Sequence, residues 1–431
     1  MNGMSGRPVV VVGGCRTPFA KAGTSLKRLT AVDLARHAAR ELLVRTEVPP
    51  NQVDQVIFGQ VIPSILVPNV AREVALLPQF PKTIPAYSLN RACASSNTAV
   101  ADAFDQIRLG YADIVLAGGT ESLSDIPILH SRRFSEILVE ASKARSLPQR
   151  IGVLLRTRPK DLIPVSPAIA EPSTGESMGQ SAEKMAKENG ISREAQDQFA
   201  LGSHRKAAQG TKDGRLTEEI APVFVPPRYE EIETSDNGIR YDTSLDQLAK
   251  LRPVYDRKHG TVTAGNASPL TDGASAVLVM SEEKARAMGY EPLVWIRSYA
   301  VAAVDPGWQL LMGPAWAAPK ALDRAGISWK DLGLVEMHEA FAAQVLSNIQ
   351  AFESKKFAQE QLGRADAIGQ VNPETLNVMG SSLAIGHPFG ATGTRITTTL
   401  ANEMRRRGVQ FGLISVCAQG GMGFAMVLER R

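Results

Sequence analysis

The chain predicts an α/β protein built from two similar halves with a different segment inserted between them. Three observations lead there. Strand-length apolar runs alternate with amphipathic helix patterns over residues 1–128, and again from Pro292 onward. The order of elements in the first part recurs about 280 residues later, as an internal duplication would leave it. Residues 130–255 break the alternation with more charge and proline.

Pro8–Val12 is a β-branched run and reads as a buried strand. Thr30–Thr46 reads as a helix, with Ala31, Leu34, Ala35 and Ala38 on one side. Val56–Val61 is a second strand. Ala99–Leu109 is a helix, and Asp113–Ala117 is a buried strand leading into Gly118-Gly119. Helices near Ser181–Asn189 and Ser192–Gln209 interrupt the irregular segment, and Ala276–Met280 resumes the strand pattern. Then Val294–Arg297 reads as a strand, Ala315–Ala325 as a helix, and Leu334-Val335 as a strand after the turn Gly326-Ile327-Ser328. Each half ends alike, in an Asn-led polar loop, a helix and a strand into a glycine pair, Asn90 to Gly119 and Asn377 to Gly421. Two such halves packed together place their loop ends around a shared cleft.

Composition sets the outer bounds. The chain has 431 residues, 44% apolar and 21% charged, enough for a large core and against global disorder. Its three cysteines, far apart, argue against a disulfide scaffold and for a reducing compartment. The formal charge of +4 is local, because residues 131–160 alone carry eight basic side chains against Glu136 and Glu140. Such a patch draws an anionic ligand, an anionic membrane surface or a partner, or is simply a solvated face. Gly408–Leu428 is uncharged but holds five glycines, so it reads as two buried strands around a turn rather than a membrane helix. Gly13-Gly14 lacks the spacing of a dinucleotide fingerprint, and Ser181–Lys184 lacks the partner motifs of a serine hydrolase.

Four segments carry candidate chemistry. In Asn90–Asn97, Cys93 lies among small residues just before a helix, whose unpaired N–H groups favour a thiolate; alone it reads equally as a small core residue. In Gly380–Gly393, His387 is fixed by Pro388 on a glycine-rich loop and suits a general base for a thiol. In Val416–Gly423, Cys417 ends a buried strand beside backbone able to offer N–H groups to an oxyanion. His338 and Glu339 follow a strand at the sheet's loop end; position 342 is Ala, which excludes a His-Glu-x-x-His zinc site, and no metal is expected. His37, His130, His204 and His259 read as surface or structural residues, and Cys15 as inert packing.

Together these segments resemble the thiolase family along essentially the whole chain. The resemblance runs through Gly14–Phe19, Asn90–Cys93, Gly118–Ser122, Ser177–Glu183, Thr261–Ser268, His338–Phe341, Gly386–Pro388 and Cys417–Gly421. His338-Glu-Ala-Phe341, where many members have Asn first, is similar to the 3-ketoacyl-CoA thiolase subunits of fatty-acid oxidation complexes. The resemblance implies a layered αβαβα core with a loop domain. Its expected boundaries are 1–129 plus 257–283 for one half, 130–256 for the loop domain and 284–431 for the other half.

It also implies thiolytic cleavage of 3-ketoacyl-CoA to acetyl-CoA and a shortened acyl-CoA, with CoA as co-substrate and no permanently bound cofactor. Cys93 is implied as nucleophile, His387 as its base and as a group facing the thioester oxygen, and Cys417 as the acid that protonates the enolate; His338 matches the position that, usually as Asn, holds an oxyanion-hole water, and its imidazole offers direct donation to the enolate oxygen instead. The backbone N–H groups of Cys93 and Gln419 form the second oxyanion hole. Gln419 departs from the usual glycine, which raises the question of its φ. Ser268 and Ala264 match positions against the CoA arm; Met178 matches one in the acyl pocket, and Phe341 is assigned to the substrate site. The expected partners are a second copy of the chain and a hydratase/3-hydroxyacyl-CoA dehydrogenase α subunit. Membrane contact through 131–160, a cytoplasmic location without an Arg- and Ser-rich leader, and no nucleic-acid binding complete the reading. The alternatives are a biosynthetic acetoacetyl-CoA thiolase, a ketoacyl synthase, which Cys417 argues against, and a scaffold subunit, which the intact Cys93, His387 and Cys417 argue against.

Overall fold

The computed structural model describes residues 6–164 and 170–431. Nine strands form one path in the order Leu334–Met337, Phe411–Ala418, Met422–Glu429, Val294–Ala303, Val9–Arg16, Thr271–Ser281, Ile114–Glu121, Gln55–Gly59 and Ala86–Leu89. Among the described residues, the two halves join in this sheet only where Val10 and Val11 pair with Trp295 and Val294.

The duplication is written in the pairing. In the first half Val9–Arg16 pairs antiparallel with Thr271–Ser281, which pairs antiparallel with Ile114–Glu121, which runs parallel to Gln55–Gly59. In the second, Val294–Ala303, Met422–Glu429, Phe411–Ala418 and Leu334–Met337 repeat that order and those directions. Even the fifth strand, Ala86–Leu89, has a remnant in the parallel bridge from Val335 to Leu376. The offset of about 280 residues holds for the early strands and fails for the last one. Thr271–Ser281 closes the first half only after the inserted segment, whereas Met422–Glu429 follows Phe411–Ala418 directly.

Strand alternation sorts the core into layers. Leu116, Leu278 and Met280 face Leu34, Ala38 and Leu42 of the helix Ala31–Thr46 on one outer side. Val335, Met337 and Val427 face Ala317, Ala321 and Phe352 on the other. Between the half-sheets, Val115, Val277, Ile414 and Phe424 pack on Val100, Phe104, Ile396 and Leu400 of the helices Ser95–Arg108 and Thr392–Arg407. The result is the expected αβαβα stack.

These two central helices are buried nearly all round, which small residues permit. Gly393 has no room for a Cβ beside Asn97, whose Nδ2 donates to the Gly393 carbonyl at 3.2 Å. Thr397, Thr398 and Thr399 return their hydroxyls to carbonyls one turn back, so the buried oxygens are paired.

Several boundaries differ from those read in sequence. The first helix begins as expected, with Thr30 as its cap in a box with Asp33. The second starts at Ser95 rather than Ala99, because the polar Ser95–Thr98 turn is buried between the halves instead of looping out. Val9–Arg16 and Ile114–Glu121 run straight through their glycine pairs, so Gly13-Gly14 and Gly118-Gly119 are strand residues, not turns. Glycine is needed there for close packing: a Cβ on Gly119 would strike the Gly390 carbonyl. Cys15 consequently sits within the strand, buried, its thiol donating to the Ala38 carbonyl and pushed up to about 12 by burial. Phe411–Ala418 and Met422–Glu429 pair antiparallel around Gly420-Gly421, and no described helix is long and apolar enough to cross a membrane.

Within the inserted segment, Met178–Glu188 and Arg193–Lys212 pack over the second half, against Ala342–Glu353. The basic stretch forms two helices, Arg132–Lys143 and Leu147–Leu154, that pack on each other and on the turn Pro159–Leu162. Arg156 pairs with Glu140 and Arg133 with Asp161. Leu147, Ile151 and Leu155 remain exposed among the arginines.

Candidate active site

The site forms where the carboxyl ends of the parallel strands from both halves meet, the usual crevice of an α/β sheet. Strand Ala86–Leu89 delivers Asn90–Cys93, and strand Leu334–Met337 delivers His338. Cys417 lies on Phe411–Ala418. His387 arrives on the loop before Thr392–Arg407. Two asparagines brace equivalent joints. Asn90 donates to the Val61 carbonyl beside one strand end, and Asn377 donates to the Met337 carbonyl beside its counterpart.

Cys93 is presented by a bent backbone. Ala92 has φ +45°, a left-handed conformation that an alanine adopts only when held. The hold is explicit: Asn90 Oδ1 accepts from the Ala92 N–H at 2.9 Å, and Ser95 Oγ donates to the Ala92 carbonyl at 2.6 Å. Burial pushes the Cys93 thiol up to about 12, although the backbone N–H groups of Gln419 and of Cys93 itself face the sulfur and favour the thiolate. Cys417, one wall further in, is raised well above the ordinary thiol value by burial and by Cys93.

The Cys93 sulfur and one ring nitrogen each of His338 and His387 lie within 4.8 Å of one another. His387 Nδ1 is bound to Thr392 Oγ1 at 2.7 Å, and His338 Nδ1 to Ser382 Oγ at 2.8 Å. The Nε2 atoms of both rings are buried with no partner. Burial and the Arg395 guanidinium hold His387 down at about 3; burial, His387 and Arg395 hold His338 well below the usual imidazole range. Both rings are therefore neutral near pH 7. A neutral ring can take a proton from a buried thiol, and a second can donate, which is acid–base chemistry around one sulfur.

A cavity opens onto Cys93 and His387. Its wall includes Cys93, His387, Cys417 and Gln419, with Met178, Ser268 and Phe341. Tyr255, Leu270, Leu311 and Phe389 make most of the remainder apolar. Ala264 is outside that wall, exposed, with its carbonyl accepting from Arg240. Gln419 has no positive φ; the left-handed positions are Gly420 and Gly421. Its side chain donates to the Ala170 carbonyl at 2.8 Å, tying the strand end to the inserted segment.

Sequence reasoning missed the residues behind these. Glu121, fully buried, accepts from the N–H groups of Val61, Ile62 and Gly390, and so clamps the His387 loop to both the strand and the cavity rim. Burial pushes its carboxyl up to about 7. Glu121 lies within the Gly118–Ser122 motif, but nothing in the motif shows what it holds. Ser382, Thr392 and Arg395 read as helix residues until the fold turns them toward the rings. Asn266 is buried and organises the Thr261–Ser268 strip, accepting from the Thr263 N–H and donating to Asp197.

Residues 9–283 match the thiolase N-terminal domain, and residues 290–430 match the thiolase C-terminal domain. The chain belongs to the thiolase family. Over 424 residues it is 52% identical to a 3-ketoacyl-CoA thiolase of Aeromonas salmonicida (strain A449), covering 98% of this chain and 97% of that protein. It is 49% identical, with the same coverage, to a 3-ketoacyl-CoA thiolase of Escherichia coli O157:H7. Among solved thiolase structures, human mitochondrial 3-ketoacyl-CoA thiolase in complex with CoA superposes with TM-score 0.82 at 34% identity, over 99% of this chain and 98% of that one. The Bacillus anthracis acetyl-CoA acetyltransferase superposes with TM-score 0.83 at 34% identity, over 98% and 99%.

Proposed function

We propose that the chain is a 3-ketoacyl-CoA thiolase of fatty-acid degradation. The observation that carries this reading is the convergence of Cys93, His338 and His387 within 4.8 Å of one another, at an apolar cavity whose wall holds Cys93, His387, Cys417 and Gln419. The two curated relatives at 49–52% identity carry the 3-ketoacyl-CoA thiolase name, whereas the acetyltransferase neighbour is 34% identical.

The reaction follows from the geometry. His387 Nε2 takes the Cys93 proton, and the thiolate adds to the 3-keto carbon. The new oxyanion meets the N–H groups of Cys93 and Gln419. The C2–C3 bond then breaks, leaving an acyl group on Cys93 and the enolate of acetyl-CoA. His338 and protonated His387 donate to the enolate oxygen, and the Cys417 thiol protonates its C2. CoA, losing its thiol proton to Cys417, attacks the acyl carbon; the Cys93–acyl bond breaks, Cys93 takes its proton back from His387, and the shortened acyl-CoA leaves. The sulfur must stay free for this, so the Cys–His–His trio acts in acid–base chemistry and holds no metal.

CoA enters as a substrate along Ser268, with Ala264 further out, and the acyl chain lies against Met178 and Phe341. A homodimer, an α-subunit partner and a cytoplasmic location complete the proposal. The hairpin 132–154 approaches anionic membrane through Arg132, Arg133 and Arg150 beside exposed Leu147 and Ile151.

Mixing the protein with a 3-ketoacyl-CoA in the absence of CoA tests the chemistry. Mass spectrometry should find the acyl group on the peptide holding Cys93; an unmodified Cys93, or an adduct elsewhere, overturns the proposal.

A further inference from the structure

We propose that Ser382 and Arg395 are positioning residues that hold His338 as the tautomer with its proton on Nε2, so that the ring donates beside Cys93 and His387. The inference rests on the thiolase reading for its purpose but not for its geometry.

The argument is one of counting donors. Arg395 is buried and can only donate. Its Nη1 reaches Glu336 at 3.0 Å, and its Nη2 reaches Ser381 Oγ at 3.0 Å and Ser382 Oγ at 3.2 Å. Each serine accepts from the guanidinium and has a single hydroxyl proton left. Ser381 gives its proton to Glu336 Oε1. For Ser382 the remaining hydrogen-bonded neighbour is His338 Nδ1, at 2.8 Å. The hydroxyl is satisfied only if Nδ1 is a bare lone pair, which puts the ring proton on Nε2. The opposite tautomer makes Ser382 accept twice and orphans its buried proton. That loss disfavours it by about tenfold or more.

The second ring is held differently. The Thr392 hydroxyl, 2.7 Å from His387 Nδ1, also reaches the Pro388 carbonyl at 3.2 Å. It can therefore accept from His387 Nδ1–H without orphaning its own proton, leaving His387 Nε2 free as a base. One ring is fixed as a donor while its neighbour is free to accept, and the difference lies in the hydroxyl behind each.

Nitrogen-15 NMR of the full-length protein, selectively labelled at histidine and assigned with His338→Asn, reads the tautomer directly. The expected result is a pyrrole-type Nε2 and a pyridine-type Nδ1 for His338. Ser382→Ala should move both toward a mixture and lower kcat about tenfold with little change in KM, while Ser382→Thr restores both. A proton on Nδ1 of His338 in the unmutated protein overturns the proposal, whatever the variants do. So does a folded Ser382→Ala protein whose His338 signals are unchanged. Failure of the thiolase reading looks different: no acyl transfer, with the His338 tautomer as stated.

Discussion

The rings of His338 and His387 lie with centroids 4.1 Å apart, and neither Nε2 has a protein partner. They come from different loops of the same half, one after the strand Leu334–Met337 and one before the helix Thr392–Arg407. Two adjacent buried imidazoles cannot both be charged, least of all beside Arg395. In the free site both are neutral, at most one can carry a proton's charge at a time, and a substrate oxygen between them would meet both.

If His338 is an enolate donor, removing it weakens only the transition state. His338→Ala should lower kcat by about a hundredfold with KM nearly unchanged. His338→Asn, which restores an N–H donor, should recover part of that loss. Steady-state kinetics on one 3-ketoacyl-CoA checks both, and an unchanged kcat for the alanine variant contradicts the role.

In the proposed mechanism Gln419 contributes only a backbone N–H, so its side chain is separable from that role. Without a positive φ to relieve, Gln419→Gly should keep the hole intact. It loses the bond to the Ala170 carbonyl, whose net worth of about 1 kcal/mol limits the fall in kcat to less than about tenfold. A much larger loss in the same assay assigns the side chain a direct part in the chemistry.

Glu121 links pH to stability. Its carboxyl titrates near pH 7 in the fold against an ordinary 4.5, because it is buried. The native state thus holds this proton more tightly than the unfolded chain. The stabilisation is present below 4.5 and is lost as the pH rises through 7. Denaturant unfolding at pH 5 and pH 8, compared with Glu121→Gln, should show the wild-type advantage falling, on the order of 2 to 3 kcal/mol. No change in the difference contradicts the burial argument.

If the acyl chain lies along the cavity's apolar wall, that wall limits its length. Met178 begins the helix Met178–Glu188 and faces the cavity across from Cys93. Met178→Trp should reduce kcat/KM for a long 3-ketoacyl-CoA about tenfold or more while sparing acetoacetyl-CoA, since only the longer chain meets the added ring. Equal losses on both substrates would place the acyl chain elsewhere.

Much of this was legible before the fold. The alternation of apolar periods shows a layered α/β protein, and the recurring Asn-led loops at Asn90 and Asn377 mark the duplication. Cys93, His387, Cys417 and His338 stand out because a thiol before a helix and a histidine on a glycine loop are unusual local arrangements. What stayed hidden depends on contacts far apart in sequence. Glu121 meets Gly390 across 269 residues. Arg395 looks like any helix arginine until Thr392–Arg407 is buried between the halves, with Glu336 opposite. The glycine pairs were misread as strand ends, because close approach to another backbone leaves no local signal.

The measurement that bears most directly on the account is CoA-dependent thiolysis of 3-ketohexadecanoyl-CoA and acetoacetyl-CoA, followed by loss of enolate absorbance, with Cys93→Ala as control. The account predicts preference for the long substrate and a loss of at least about a thousandfold in the variant. Turnover of acetoacetyl-CoA alone, or activity that survives in Cys93→Ala, contradicts it.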